Sequence, residues 1–245
     1  MKQETFKIVS QKQLTSNVFR MSLIGDIEED IFPGQFVNIK IDGLFLRRPI
    51  SVCDVYGNTL TLVYKVVGAG TRAMSKMGAG DELDLLIGLG NGYCLDNAGD
   101  RPLLVGGGVG VPPLLYLAKE LKFLGKEPIV IMGFNTADEI FLWDEFKARG
   151  FETIVTTVDG SCGEQGFVTD VLSDLDYTYF YACGPEPMLR ALYSATKTSG
   201  ELSFEERMGC GFGACMGCSC KTITGNKRIC KEGPVLKKEE ILWED

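Results

Sequence analysis

Four cysteines near the C-terminus constrain this chain more than any other feature. Cys210, Cys215, Cys218 and Cys230 follow the pattern Cys-x4-Cys-x2-Cys, then eleven residues, then Cys. The first three sit in the run Met208-Gly209-Cys210-Gly211-Phe212-Gly213-Ala214-Cys215-Met216-Gly217-Cys218-Ser219-Cys220. This is the plant-type [2Fe-2S] ligand spacing. Three thiolates on one tight loop and a fourth from a following segment can enclose two irons. Gly209, Gly211, Gly213 and Gly217 let the backbone pass close to the sulfurs, where its N–H groups can donate to them and tune the potential. A cluster of this type moves one electron at a time and performs no substrate chemistry, which points to electron transfer. A structural zinc is the alternative, although zinc sites usually come as two separated Cys-x2-Cys pairs. Disulfides fit less well. The chain has nine cysteines, an odd number, and no apolar signal segment follows Met1-Lys2-Gln3-Glu4, so a reducing cytoplasm is expected. Cys220 is a fifth thiol near the set and is read as a bystander.

Composition removes several classes of function. A net charge of −8 argues against nucleic-acid binding, which needs a basic face. No apolar run reaches the roughly 18 residues of a membrane span. The chain contains no histidine, which excludes His acid–base catalysis, Ser-His-Asp chemistry and Rieske ligation. Electron and hydride transfer remain, because a cofactor can carry that chemistry. At 245 residues there is room for two compact domains and a small appendage.

The local pattern changes once along the chain. Up to residue 98 short β-like runs dominate: Thr5 to Val9, Val18 to Leu23, Gln35 to Ile41, Ile50 to Val55, Thr59 to Val66 and Glu82 to Leu86. Pro33-Gly34, Asp42-Gly43 and Gly57-Asn58 punctuate them, and one helix is expected from Thr71 to Met77. Six closely spaced strands suggest a small antiparallel barrel. From Arg101 strands and helices alternate, which implies a doubly wound parallel sheet. Its strands are expected at Pro102–Val105, Pro128–Met132, Glu152–Thr157 and Tyr177–Ala182. Its helices are expected at Pro112–Leu124, Ile140–Arg149, Thr169–Leu175 and Pro187–Thr198. The reading is therefore a barrel domain over 1–98, an α/β domain over 99–199 and a cysteine domain over 200–245.

Three glycine-bearing turns accompany these elements. Gly106-Gly107-Gly108-Val109-Gly110 joins a strand to a helix, where glycines let backbone approach a phosphate; it can equally be a tight turn. Cys183-Gly184-Pro185 closes the last strand of the same sheet. Ligands of open α/β sheets bind beyond such strand ends, so the two turns face one crevice and favour a dinucleotide. Cys183 can alternatively be a small buried residue. Gly68-Ala69-Gly70-Thr71 repeats the device in the barrel half, with Thr71 read as an N-cap. Arg48, in Arg47-Arg48-Pro49-Ile50-Ser51, can clasp a phosphate or lie free on the surface. After the second sheet strand, Gly133 to Glu139 contains two acids and no base, which favours NAD over NADP.

Taken in order, Arg48-Pro49-Ile50-Ser51, Gly68-Ala69-Gly70-Thr71, Gly106 to Gly110, Cys183-Gly184-Pro185-Glu186-Pro187-Met188 and the cysteine segment resemble the ferredoxin-NADP-reductase superfamily. Within it, the cysteine tail is similar to that of the electron-transfer subunits of class 1B dihydroorotate dehydrogenases. The resemblance spans essentially the whole chain. It implies an antiparallel FAD-binding barrel, a parallel-sheet NAD domain and a small [2Fe-2S] domain. Arg48 and Pro49 would meet the FAD pyrophosphate segment, and Ser51 would hydrogen-bond near flavin N5. Ile50 stands where many members stack a tyrosine, so an aliphatic contact is implied. Lys65, Val66 and Val67 would line the flavin, and Gly70 and Thr71 would meet its phosphates. Gly107, Gly108 and Gly110 would face the NAD pyrophosphate, with Cys183, Gly184 and Pro185 beside the nicotinamide. Ser51 and Cys183 would be the catalytic contacts. The terminal aromatic residue of many relatives is absent because the chain runs on into the cysteine segment. The implied partner is an FMN-containing dihydroorotate dehydrogenase catalytic subunit in a two-plus-two heterotetramer serving UMP synthesis. A reductase subunit of sulfite reductase, hydrogenase or ferredoxin transhydrogenase type, or a non-catalytic iron–sulfur module, is the alternative.

Overall fold

The computed structural model describes residues 1–27 and 31–243. Six antiparallel strands close the first barrel: β1 (Lys2–Gln13), β2 (Val18–Ile24), β3 (Phe36–Ile39), β4 (Arg48–Tyr56), β5 (Thr59–Lys65) and β6 (Glu82–Leu89). Around the barrel their order is β1-β2-β5-β4-β3-β6. Alternation explains closure. In β6, Leu83, Leu85 and Ile87 are buried while the residues between them are not, and they meet Phe6, Ile8, Met21, Leu60 and Leu62 inside. A short helix, α1 (Ala69–Met74), spans the gap between β5 and β6.

The second unit is a seven-stranded sheet with order β10-β9-β8-β7-β11-β12-β15. It comprises β7 (Leu103–Gly107), β8 (Ile129–Phe134), β9 (Glu152–Thr157), the two-residue β10 (Glu164–Gln165), β11 (Phe180–Cys183), β12 (Gly200–Ser203) and β15 (Val235–Lys237). All pairs are parallel except β12 with β15. Helices α2 (Val111–Phe123), α3 (Trp143–Ala148) and α4 (Glu186–Ala195) cover it. Successive strand residues point to opposite faces. Leu104 and Val130 join the core under α2 and α3, whereas Leu103, Val105, Ile129 and Ile131 join the core under α4.

The cysteine segment grows out of this sheet. The expected boundary at 199/200 falls between α4 and β12, yet both β12 and β15 extend the sheet. Between them lie the cysteine loop and a hairpin of β13 (Ser219–Thr222) and β14 (Gly225–Arg228).

Among the helices, those expected over 140–149 and 169–175 depart most from the sequence reading. Over Thr169–Leu175 only a 3-10 turn forms, at Leu172–Asp174. The Asp170 carboxylate accepts the Phe167 N–H at 2.8 Å and so stabilises a turn instead of a helix. The third helix starts at Trp143 because Leu142 takes φ +64°, outside helical space.

The two large units are pinned together. Arg20 of β2 pairs with Glu145 of α3 at 2.6 Å. Lys119 of α2 pairs with the buried Asp54 of β4. Tyr116 donates its hydroxyl to the Ile31 carbonyl at 2.7 Å. These contacts fasten the barrel to α2 and α3. Among the described residues no helix is long and apolar enough to cross a membrane.

Candidate functional site

A cleft of about 580 Å³ opens at the C-terminal ends of β7, β8, β9 and β11. Gly107, Gly108 and Gly110 form one wall, Gly184 and Pro185 another, and Lys65 of the barrel closes a third side. The glycines divide the work. A Cβ on Gly110 would overlap the main chain of Cys183 and Gly184. A Cβ on Gly107 would stand 2.6 Å from Met188 Sδ and 3.0 Å from Pro185 Cδ. Both therefore let the two turns touch. Gly108 has φ +52°, and a Cβ there would meet nothing within 4 Å, so it presents bare backbone to the cleft. Thr156 Oγ1 belongs to a residue lining the cleft and is buried without a hydrogen-bond partner among the described residues. An unpartnered hydroxyl beside bare backbone amides fits a polar, phosphate-bearing ligand.

Acidic groups set the cleft's other character. Glu139 lines it and is held there by Asn135, whose N–H and Nδ2 donate to Oε2 at 3.2 and 2.7 Å. Glu205 also reaches it, and desolvation between the walls raises its carboxyl above the usual range. Cys183 lies beneath, 2% exposed. Burial foremost, then the Glu205 charge, pushes its thiol up to about 12, against a bond to Ser203. It is a neutral thiol at physiological pH and no nucleophile.

In the barrel, β4 carries Arg48, Pro49, Ile50 and Ser51. The two arginines have different surroundings. Arg47 is committed to Asp84, with Nη1 2.9 Å from Oδ1. Arg48 donates only to the carbonyls of Leu46 and Arg47 and pairs with no carboxylate among the described residues. Its side chain lies over Gly70, where a Cβ would come within 2.9 Å of Arg48 Cδ and Cγ. The cation thus rests on the first turn of α1. Thr71 is not the N-cap expected from sequence; that position is Gly68, and Thr71 is the third helical residue. From there its Oγ1 accepts the N–H groups of Val67 and Gly68 at 3.0 and 3.3 Å. A threonine three residues into a helix can bond back to the cap, which explains the difference. Val67 is 78% exposed, and Gly68 has open space where a Cβ would be. Val66 packs against the barrel core. Ser51 is half-buried and paired with Phe36 across the ladder. An unpaired guanidinium over a glycine cradle fits an anionic prosthetic group.

The cysteines form two pairs. In the loop, Ala214 N–H donates to Cys210 Sγ at 3.2 Å and Gly217 N–H to Cys215 Sγ at 3.5 Å. Gly211 at φ +78° and Gly213 at φ +92° make that winding possible. Burial opposes ionisation of Cys210, but the N–H groups of Phe212, Cys215 and Ala214 and the Cys215 thiol overcome it and bring Cys210 to about 6. The second pair is made by the hairpin. Ser219 faces Arg228 in the ladder, Ile229 N–H donates to the Cys218 carbonyl at 3.0 Å, and Cys230 N–H donates to Cys218 Sγ at 3.4 Å. Cys218 and Cys230 are both 2% exposed, and Cys215 is exposed. Two thiol pairs with amides aimed at sulfur fit a two-iron cluster. Cys220 points elsewhere, half-buried in β13 with its thiol raised by burial.

Sequence reasoning missed the clamp on this loop. Arg228 pairs with Glu232, Nε to Oε2 at 2.9 Å, and Nη1 donates to the Gly213 carbonyl at 2.6 Å. Glu232 is held at about 2, first by that Arg228 bond. The only sequence signal is an Arg and a Glu four residues apart beside Cys230.

The comparisons agree with this geometry. Residues 205–242 match the family model described as the iron-sulfur cluster binding domain of dihydroorotate dehydrogenase B. A relative from Lysinibacillus sphaericus, the electron transfer subunit of dihydroorotate dehydrogenase B (NAD(+)), is 44% identical over 98% of both chains. Among solved structures, an NADH-dependent reduced ferredoxin-NADP oxidoreductase is 30% identical with TM-score 0.89, over 97% of this chain and 90% of that one. A ferredoxin NADP+ reductase from Neisseria gonorrhoeae, solved with FAD and NADP, shares the fold at TM-score 0.70 and 18% identity, over 80% and 90% of the two chains.

Proposed function

Since this chain belongs to the family of electron transfer subunits of NAD+-linked dihydroorotate dehydrogenase B, we propose that it carries electrons from dihydroorotate oxidation in a partner subunit to NAD+. The observation that supports this most directly is adjacency: Lys65 and the two glycine turns share one cleft, while the barrel's β3 lies between β4 and the core that holds Cys218 and Cys230. When bound, FAD supplies the exchange between one-electron and two-electron carriers that a [2Fe-2S] cluster and NAD+ require. The chain's own residues do the rest. Arg48, with Pro49 behind it, neutralises the FAD pyrophosphate at the first turn of α1, at Gly70 and Thr71. Ile50 supplies an aliphatic face to the flavin. Lys65, Val66 and Val67 border it with backbone, and the Ser51 hydroxyl serves its N5 edge. Gly107, Gly108 and Gly110 bring bare amides to the NAD pyrophosphate. Gly184 and Pro185 seat the nicotinamide, and Cys183 keeps a small neutral thiol beneath it. Cys210, Cys215, Cys218 and Cys230 would hold the [2Fe-2S] cluster.

The partner is an FMN-containing catalytic subunit in a two-plus-two assembly, and the product serves pyrimidine synthesis. A reducing compartment, the cytoplasm, suits nine cysteines of which four must stay thiolate ligands. The test uses the purified chain with and without that partner. Alone it should contain FAD, two irons and two acid-labile sulfides, reduce dyes with NADH and leave dihydroorotate untouched. Adding the partner should create dihydroorotate-to-NAD+ activity. Zinc without labile sulfide refutes the relay, and no activity with the partner refutes the pyrimidine assignment.

A further inference from the structure

Strand β3 adjoins the Arg48-to-Ser51 strand in the barrel, and its residue Asn38 contacts both that strand and the cysteine loop. Val37 and Ile39 face the barrel core, whereas Phe36 packs into the cluster that contains Cys218 and Cys230. Asn38 shares the face of Phe36 by strand alternation. It is 1% exposed. Its Nδ2 donates to the carbonyl of Cys210 at 3.2 Å. A Cβ on Gly211 would land on this same amide group, so the glycine after Cys210 is what admits it. Within the barrel, Asn38 is paired with Pro49, and its main-chain carbonyl accepts from Arg47 Nη1 at 3.2 Å.

The other end of the amide is informative. A carbonyl oxygen only accepts, so the bond to Cys210 fixes Nδ2 toward the loop. Oδ1 is then left buried with no hydrogen-bond partner among the described residues. Buried polar atoms are nearly always satisfied. A leucine would fill the same space without an orphaned acceptor. What the asparagine adds is the single bond to the main chain of a cluster ligand.

We propose that Asn38 is the positioning residue of the electron path. It ties the first ligand of the cysteine loop to the strand laddered with the flavin motif, and so fixes the gap between the two redox sites. The inference rests on the function proposed above. Oxidation of dihydroorotate to orotate releases two electrons and two protons. Reduction of NAD+ takes two electrons and one proton, so one proton is released overall. The bridge at Asn38 is therefore crossed twice per NADH, one electron each time. The rate of such crossings falls steeply with the gap, which makes a fixed loop valuable.

The test uses the assembled complex with its FMN subunit. Asn38→Leu keeps the volume and removes the donor. Asn38→Asp keeps the shape and turns an acceptor toward the Cys210 carbonyl. In both, flavin, iron, sulfide and NADH-to-dye turnover should stay at wild-type level. Reduction of the cluster by NADH, followed as bleaching in stopped flow, should slow about 10- to 100-fold, the usual effect of removing a partner behind a metal ligand. The EPR spectrum of the reduced cluster should shift. A wild-type reduction rate with an unaltered spectrum in Asn38→Leu overturns the proposal. Loss of iron from both variants with flavin retained also overturns it, because Asn38 would then build the site instead of linking it. A wild-type complex with no NADH-reducible cluster would refute the proposed function, and this inference with it.

Discussion

Gly110→Ala tests whether the two turns of the nucleotide sheet must touch backbone to backbone. The added Cβ would overlap the Cys183 carbonyl and stand 2.7 Å from the Gly184 nitrogen. Both atoms are main chain in a buried turn, so no rotamer change relieves the clash. Overpacking of this kind costs about 1–3 kcal/mol, and rigid neighbours place it near ~3 kcal/mol. For a chain of this length that corresponds to a fall in Tm of about 6–12 °C. Two neighbouring glycines set the scale. Gly107→Ala would press on Met188 Sδ at 2.6 Å, the far end of a flexible thioether, and should cost only about 1 kcal/mol. Gly108→Ala meets nothing, but its φ of +52° costs an alanine about 1–2 kcal/mol. Its methyl would enter the cleft, so it should raise KM for NADH more than its stability loss implies. The assay is calorimetry on all three variants, with KM for NADH in dye reduction. A Gly110→Ala protein with wild-type Tm and KM would refute the reasoning, as would Gly107→Ala proving the most damaging of the three.

Further outcomes are expected. Serine at Cys210, Cys215, Cys218 or Cys230 should abolish cluster iron and labile sulfide, while Cys220→Ser keeps both; the reverse result for Cys220 and Cys230 would reassign the fourth ligand. NADH should be preferred over NADPH by about tenfold or more in kcat/KM, because the pinned Glu139 carboxylate repels a 2′-phosphate by ~1.4 kcal/mol or more; equal efficiencies would contradict that. Glu201 is 3% exposed, and burial raises its carboxyl despite bonds from Cys94 N–H and Tyr179. The folded state therefore binds the extra proton. Stability from this group is full below the ordinary carboxylate pKa and is lost as pH rises through the higher folded value. Glu201→Gln should flatten that slope in denaturant melts across the window, and an unchanged slope would show that another group causes it.

The parts legible in the sequence are those fixed by short-range rules. Alternation places Leu83, Leu85 and Ile87 inside the barrel before any partner strand is known, and the strand–glycine–helix order around Gly106 to Gly110 fixes which sheet end is open. The parts that were not legible depend on who pairs with whom. Nothing local in Gly200–Ser203 or Val235–Lys237 says that both join the nucleotide sheet, because β12 pairs with β11 across α4 and β15 pairs with β12 across the whole cysteine loop. Asn38 reads as an unremarkable polar residue until β3 is set beside Cys210, and Arg228 reads as a surface charge until Gly213 lies under it. The cysteine spacing is an intermediate case. The turn between β13 and β14 is Ile223-Thr224, and continuing the ladder beyond Ser219 and Arg228 sets Cys218 opposite Ile229, one residue before Cys230. There Ile229 N–H reaches the Cys218 carbonyl, and Cys230, next in the chain, donates its N–H to Cys218 Sγ. The eleven-residue gap is thus the contour length of a hairpin, and it encodes the second thiol pair as directly as Cys-x4-Cys encodes the first. Lengthening that hairpin by one residue on one strand would slip the register and turn Cys230 to the opposite face. Such an insertion between Gly225 and Arg228 should lose iron while leaving flavin and NADH-to-dye turnover in place, and iron retained at wild-type level would show that the hairpin does not set the ligand pair.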